Sequence, residues 1–189
     1  MDIIRQSNNR AQGDVVAGNK TETIFNFINQ QTIDDLTRLY EKMKLNSGNG
    51  ESSGNILCEE LEHYITVSTD GDVRGLEAKL KESSREYQIP SAVRMKERAA
   101  KAVMRYQTSR TAQRIYTIIL DELWTNFSLH VTSAIQNGAG QVEVDQRISM
   151  VLQMTRGVLG ENVLELSVKD LLALLYFLGG NCHIRWDKC

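Results

Sequence analysis

The sequence predicts a mainly α-helical protein: a helical bundle with an N-terminal β-arm or hairpin and a short C-terminal strand. Apolar residues recur three and four positions apart from Thr32 onward, and Pro90 is the only proline of the chain. The first part of the chain is instead rich in Gly, Asn, Thr and Val, and its last residues alternate apolar and polar side chains. We therefore expect a β-arm over residues 1–31 and a helical domain over residues 32–189.

The composition is typical of a soluble globular protein. Of the 189 residues, 41% are hydrophobic and 24% are charged, and the formal net charge is -2. A chain of this length can bury a sizeable core. No apolar run reaches the roughly 18 residues that a membrane span needs, and the N-terminus lacks the layout of a signal peptide. We therefore expect a cytoplasmic protein that makes no use of a membrane.

The N-terminal arm is predicted from two β-prone stretches around a turn. Val15 and Val16 lie between glycines, and residues 21–28 mix β-branched and aromatic side chains with polar ones. Gly18 and Asn19 suit the turn because both tolerate a positive φ. Two lone strands are marginally stable, so we expect the arm to pair either with the C-terminal strand or with the arm of another protomer. The residues expected at this oligomer or partner interface are Asp14, Val15, Val16, Ile24, Phe25 and Phe27.

Three helices are predicted before Pro90. The first begins at the N-cap candidate Thr32 and ends near residues 44–46, ahead of a polar connector rich in Gly and Ser. A second helix carries the apolar residues of segment 57–65, and a third covers residues 73–86. Proline suits the first turn of the helical region that follows, because its missing N–H costs nothing there.

The segment 91–136 contains neither proline nor glycine. As a single helix it would measure nearly 70 Å at about 1.5 Å per residue, which is too long for a compact domain of this size. We therefore predict two helices, the second beginning near Ser109 and forming either the central core helix or a seam between protomers. Its predicted apolar stripe consists of Ile115, Ile118, Ile119, Leu123, Phe127, Val131 and Ile135, widened by Trp124 and Leu129.

The C-terminal part has the clearest signals. A further amphipathic helix is predicted over residues 144–155. Ser167 and Asp170 have the spacing of a capping box, and the apolar run 171–178 follows them and ends at two glycines that suit a C-cap. This last helix is predicted to be buried, and the alternating residues 182–186 are predicted to form the closing strand.

A row of basic residues marks the helix after Pro90. Arg94, Arg98, Lys101 and Arg105 follow one another at steps of four, three and four, so they share one helical face about 16 Å long. Such a face can neutralise a few phosphates of nucleic acid, but it can equally lie against an acidic surface of a neighbour or face water. The aromatic side chains typical of single-strand binding sites do not interleave this row.

The sequence offers no constellation of catalytic residues. The glycines ahead of Lys20 resemble a phosphate-binding loop, but Asn19 interrupts the motif and the following segment is strand-like. Cys182, His183 and Cys189 lack the second ligand pair of a zinc site. We therefore expect no enzymatic activity, no cofactor and no bound metal.

Two stretches resemble a known family. Residues 13–20, Gly-Asp-Val-Val-Ala-Gly-Asn-Lys, resemble the Gly-Asp-hydrophobic-hydrophobic-Ala/Gly-Gly-Asp/Asn-Lys arm that precedes small helical components of bacterial ABC-three-component conflict systems. That group includes Lamassu anti-phage defence. Residues 174–186, Leu-Leu-Tyr-Phe-Leu-Gly-Gly-Asn-Cys-His-Ile-Arg-Trp, are similar to the end of the small non-catalytic domains of these systems.

This resemblance implies a non-enzymatic assembly or regulatory component that works beside an SMC-like ABC ATPase and an effector, often a nuclease. The component would hold or restrain the effector until invading DNA is sensed. The expected partners are the ATPase and effector subunits, further copies of the chain, or both. The alternative is an accessory protein that binds nucleic acid, including DNA, through the basic helix 91–114.

Overall fold

The computed structural model describes the backbone of residues 20–46, 57–68 and 74–187, and the side chains of residues 30–45, 57–68 and 74–187. Within these ranges the chain forms helices joined by turns and contains no strand. The α-helices are α1 (Lys20–Asn46), α2 (Glu59–Ile65), α3 (Leu76–Glu82), α4 (Ile89–Arg105), α5 (Arg110–Phe127), α6 (Ser133–Gln136), α7 (Gln141–Val158) and α8 (Val168–Gly180). A 3-10 turn (Glu86–Gln88) leads into α4, and a π-helical turn (Ser128–Thr132) joins α5 to α6.

Helix α8 lies at the centre of the core. It is apolar nearly all round, and every residue from Ala173 to Gly180 is buried, as predicted for this helix. It packs against α4, α5 and α7, while α5 packs in turn against α1, α2 and α7. Ile115 and Leu123 of α5 are fully buried. Burying a side chain of this size stabilises the fold by roughly 1.5–3 kcal/mol, so these two helices supply much of the hydrophobic core.

Two helix starts confirm the capping signals in the sequence. Ser109 caps α5, and its Oγ accepts a hydrogen bond from the Ala112 N–H over 3.3 Å. The segment 91–136 therefore does not form one long helix, and the second helix begins near Ser109 as predicted. At the start of α8, the Ser167 Oγ accepts from the Asp170 N–H and the Asp170 carboxylate accepts from the Ser167 N–H over 3.0 Å. This reciprocal pair is the predicted capping box.

The predicted β-arm is wrong over residues 20–31, which belong to α1. No glycine or proline interrupts the chain from Lys20 to Asn46, and the helix propensities of most residues differ by only about 0.7 kcal/mol, so a helix once formed extends through β-prone residues. Thr32 is therefore not an N-cap. It lies within α1, and its hydroxyl donates to Glu122 Oε1 on α5 over 2.8 Å. Residues 1–19 of the predicted arm lie outside the described residues.

The predicted C-terminal strand is also wrong, because the chain turns back at Cys182. The φ of Cys182 is 66°, and the N–H groups of Cys182 and His183 donate to the carbonyls of Gly179 and Leu178 over 3.4 and 2.9 Å. This is a Schellman motif, and it places the left-handed residue at Cys182 rather than at a glycine. Segment 182–186 therefore forms a helix cap followed by an irregular tail, and its alternating pattern does not indicate a strand. Ile184 and Trp186 of this segment are buried.

The other helices differ from their predicted extents mainly at the ends. Helix α2 begins only at Glu59, with Cys58 at the N-cap position. Helix α3 is shorter than the predicted segment 73–86, because Ser84 adopts a φ of 57° and the Arg85 N–H donates to the Leu80 carbonyl over 2.7 Å. Helix α7 is longer than the predicted segment 144–155 at both ends.

Trp124 and Leu129 do not widen the buried stripe of α5. Trp124 is 43% exposed and Leu129 is 62% exposed, although the stripe itself is buried or half-buried as predicted. Leu129 lies two positions from each of the buried residues Phe127 and Val131, and residues two apart lie on opposite faces of a helix, so its side chain is on the exposed face. The Trp124 indole Nε1 donates to the His183 carbonyl over 3.2 Å, which holds the ring against the tail that follows α8.

Candidate interface at the basic cleft

Helix α4 presents the predicted basic row on its outer face. Its inner face buries Ala92, Ala99 and Val103 against the core, and α8 is its main neighbour. The residues exposed on the outer face include Arg94, Arg98, Lys101 and Arg105. The predicted alignment of the row is therefore confirmed, but the basic segment 91–114 is not one helix, because Arg110 and Arg114 lie on α5.

The row forms one wall of an open cleft of about 590 Å³, which we call the basic cleft. Segment 164–166, between α7 and α8, contributes part of the opposite side. Besides the four basic residues and Glu97 and Ala102 of α4, the cleft is lined by Tyr106, Tyr116, Leu164, Glu165, Leu166 and Asp170. A volume of this size lies within the range of about 300–1,000 Å³ that is usual for ligand sites.

Arg98 and Asp170 form an ion pair across the cleft. The Nη2 of Arg98 lies 2.7 Å from the Oδ1 of Asp170, and the two side chains are 59% and 22% exposed. Burial favours the neutral acid, but hydrogen bonds from Ser167 and the positive charges of Arg98 and Lys169 hold the pKa of Asp170 below its ordinary value. Asp170 is therefore ionised at neutral pH. An exposed pair of this kind contributes only about 0–1 kcal/mol to stability.

Two tyrosines adjoin the basic row. Their rings, those of Tyr106 and Tyr116, lie 6.0 Å apart at an interplanar angle of 39°. Tyr116 is buried and Tyr106 is half-buried. Burial raises the pKa of Tyr116 to about 12; the neighbouring Tyr106 and Asp170 add to this shift and Arg105 opposes it. Tyr116 therefore remains a neutral phenol at physiological pH.

The charges of the basic cleft are mixed. Four basic side chains line it together with the three carboxylates of Glu97, Glu165 and Asp170, which leaves a surplus of one positive charge. Fixed positive groups separated by carboxylates can bind anionic groups one at a time, in the manner of the ion pair with Asp170. The arrangement is suited to recognition of a charged partner.

The basic row was predicted from the sequence, but the residues that face it were not. Tyr106 directly follows the row, and Asp170 was recognised only as a capping residue. Tyr116 follows Arg105 by 11 positions and Glu165 follows it by 60, and no local spacing connects these residues or the neighbouring leucines to the row. The arrangement of α4, α5 and α8 brings them together.

The other residues considered in the sequence lie elsewhere. Asp14, Val15 and Val16 lie outside the described residues, and Ile24, Phe25 and Phe27 belong to the part of α1 whose backbone alone is described, so their interface role stays a prediction. The Cys182 Sγ donates to the Arg74 carbonyl over 3.5 Å, and the His183 ring contacts the Thr66 carbonyl through Nε2 over 3.2 Å. Cys189 is outside the described residues.

Among the residues that the structure describes, no three or more His, Cys, Asp or Glu side chains are grouped so that they could hold a metal ion. In the same part of the chain, every helix is too short or too polar to cross a membrane.

Comparison with known protein families gives one match, over residues 75–186, to the family described as C-terminal domain 9 of the ABC-three component systems. The match covers more than half of the chain, from the start of α3 to the tail after α8, and includes all residues of the basic cleft. It agrees with the resemblance found in the sequence. No match was found among curated proteins or among solved structures.

Proposed function

Because the chain belongs to the family of C-terminal domain 9 of the ABC-three-component systems, we propose that it is a non-enzymatic assembly or regulatory component of a bacterial anti-phage defence complex. Its partners in this proposal are an SMC-like ABC ATPase and an effector, often a nuclease. The component holds the effector or restrains it until invading DNA is sensed. The system is of the Lamassu-like kind.

The observation that carries this proposal is the family match over residues 75–186. These residues form the helices α3 to α8, including α8 at the centre of the core. They also contain every residue that lines the basic cleft. A unit of this kind, shared within a family of multi-component systems, supports a role in contacts between components. The specific partners rest on the resemblance to systems that contain an ATPase and an effector.

The chemistry of the basic cleft is consistent with recognition. The pKa of Asp170 is lowered and that of Tyr116 is raised to about 12, so both groups keep one protonation state near neutral pH. A group that transfers protons during catalysis generally has a pKa near the working pH. The cleft instead offers the fixed charge of Asp170 and the neutral phenol of Tyr116 beside an exposed basic row, which is consistent with recognition of a charged partner.

The proposal is tested by co-expressing the tagged full chain with the products of the genes that flank its own. We expect an ATPase of the SMC type and one effector to co-purify with the chain and to elute with it as one complex in size-exclusion chromatography with light scattering. If the chain separates from every neighbouring product and the ATPase and effector assemble equally well without it, the proposed assembly role is wrong.

The second candidate is a nucleic-acid-binding accessory protein. It is favoured by one observation, namely that Tyr106 adjoins the basic row in the same cleft. Aromatic rings beside basic side chains are typical of single-strand binding sites, where bases stack on the rings and phosphates pair with the cations. The experiment below distinguishes the two candidates.

A further inference from the structure

We propose that the basic cleft binds a short acidic peptide segment of a partner protein, an inference that rests on the proposed assembly role. The occupant is a stretch of polypeptide in which Asp or Glu side chains alternate with apolar or small ones. Its carboxylates pair with the basic row of α4, and its apolar side chains lie against the leucines on the opposite side of the cleft.

The cleft already contains one carboxylate that pairs with the basic row. The Oδ1 of Asp170, in the first turn of α8, lies 2.7 Å from the Nη2 of Arg98, so the row can bind a carboxylate at this point of the cleft. Arg98 is still 59% exposed in this pair. Arginine can bind a carboxylate through two parallel hydrogen bonds, so a carboxylate from outside can share or replace this contact.

The other three basic residues of the row remain available to a partner. Arg94, Lys101 and Arg105 are exposed along the cleft, and none of the ion pairs among the described residues involves them. Three cations on one face repel one another, and a partner that supplies carboxylates at similar intervals relieves this repulsion. The cleft is thus electrostatically complementary to an acidic segment.

The carboxylates and apolar side chains of the cleft favour a peptide over nucleic acid. The carboxylates of Glu97 and Glu165 interrupt the cationic lining, and they would repel a backbone that carries one charge at every phosphate. A peptide can place neutral residues opposite these two positions. Leu164, Leu166 and Ala102 also line the cleft and offer apolar contacts that a phosphate backbone does not use. The observations therefore favour an acidic peptide.

The inference is tested with two fluorescent probes of equal charge and the purified full chain. One probe is a peptide of five Glu-Ala repeats with blocked termini, and the other is an oligothymidylate with five phosphates. Binding is measured by fluorescence anisotropy at low ionic strength, where exposed charges are least screened. We expect the peptide to bind more tightly than the oligothymidylate. Tighter binding of the oligothymidylate, or no binding of the peptide, would overturn the inference.

Charge-reversal variants locate the binding site. We expect the triple variant R94E/K101E/R105E to bind the peptide at least about tenfold more weakly, since several ion pairs with the peptide are replaced by repulsion. The matched control R38E/K42E/R156E changes the net charge equally at exposed positions of α1 and α7 and should bind as the parent does. An equal loss in the control would assign the binding to net charge and overturn the proposed site.

A gain-of-affinity variant guards against misfolding as the cause. Glu97→Gln removes one of the repelling carboxylates and should tighten peptide binding about twofold to threefold, which a destabilised protein would not do. Unchanged or weaker binding by this variant contradicts the proposed site. Thermal melts followed by circular dichroism check that all variants are folded.

The same triple variant separates this inference from the proposed function. If the parent chain assembles with the neighbouring gene products and R94E/K101E/R105E does so equally well, the cleft is not the docking site, although the assembly role holds. If the parent binds the peptide but no neighbouring product, the assembly role fails independently. Loss of assembly in the triple variant, with retention in R38E/K42E/R156E, supports both.

Discussion

Gly179 and Gly180 end α8, and each lies close to a side chain from another part of the chain. An added Cβ on Gly179 would overlap the six-membered ring of Trp186, whereas one on Gly180 would lie 2.5 Å from the Cδ and Cε of Lys96. The Trp186 ring is held by Tyr176, at a centroid distance of 5.5 Å, and by Phe127, at 5.3 Å. The Lys96 side chain is flexible and can move aside.

Gly179→Ala should therefore destabilise the fold, and Gly180→Ala should not. Overpacking a core costs typically about 1–3 kcal/mol, while replacing a helical glycine by alanine gains up to about 1 kcal/mol. We expect Gly179→Ala to lower the free energy of unfolding by about 1–2 kcal/mol and Gly180→Ala to leave it nearly unchanged. Urea denaturation measures both variants, and equal losses would contradict the rigid position of Trp186.

His183 contributes a pH dependence of stability. Burial lowers its pKa below the ordinary value, the neighbouring His63 and Lys79 lower it further, and the carbonyls of Thr66 and Tyr64 partly oppose the shift. The rings of His63 and His183 lie 5.0 Å apart. In the unfolded chain the imidazole titrates near pH 6.5, so it takes up a proton before the folded protein does.

The free energy of unfolding should consequently fall as the pH drops from about 7 through the lowered pKa of His183. Above this range His183 is neutral in both states and adds no pH dependence. We expect His183→Gln to flatten the decline, and His63→Gln to reduce it partly by removing a neighbouring charge. Urea denaturation at several pH values measures this, and a profile unchanged by His183→Gln would exclude this residue as its source.

At the scale of the element, the start of α8 depends on its capping box. Ser167→Ala removes the side-chain acceptor for the Asp170 N–H and should lower the free energy of unfolding by about 0.5–2 kcal/mol. Ser149→Ala on the exposed face of α7 is a matched control and should be neutral or slightly stabilising, because alanine is the better helix former. Thermal melts compare the two, and a loss in both would point away from the cap.

The helices could largely be predicted from the sequence where a local signal fixes an end. Ser109 and Ser167 have side chains that satisfy free N–H groups, and both starts were predicted. The arm and the closing strand could not be predicted correctly, because β-prone residues can extend a helix and a non-glycine residue such as Cys182 can end one. These outcomes depend on the rest of the fold.

The candidate site could also be predicted only where local sequence determines it. The basic row was predictable, since steps of three and four place side chains on one helical face. Its surroundings were not, because Tyr116 and Asp170 reach the row only through the packing of α5 and α8 against α4. No aromatic residue interrupts the row in the sequence, but Tyr106 and Tyr116 line the same cleft in the folded protein.

At the scale of the whole molecule, the role of the N-terminal segment stays a prediction. Leu36 and Tyr40 anchor the later part of α1 in the core, so deletion of residues 1–23 should leave a folded helical body. We expect this deletion to lower the oligomer mass or to abolish partner binding, measured by light scattering. Circular dichroism confirms that the shortened chain is helical. An assembly of unchanged mass that still binds its partners would count against the role of this segment.

The two oxygens of Asp170 serve different parts of the molecule. Oδ2 accepts from the Ser167 N–H and completes the cap of the core helix, while Oδ1 pairs with Arg98 in the cleft. A ligand that replaces Oδ1 as the partner of Arg98 therefore contacts Asp170, the residue that caps the start of α8. Any compound that binds only the folded chain raises its melting temperature by mass action. A thermal-shift screen with peptides from a candidate ATPase or effector would therefore report which segments bind the basic cleft.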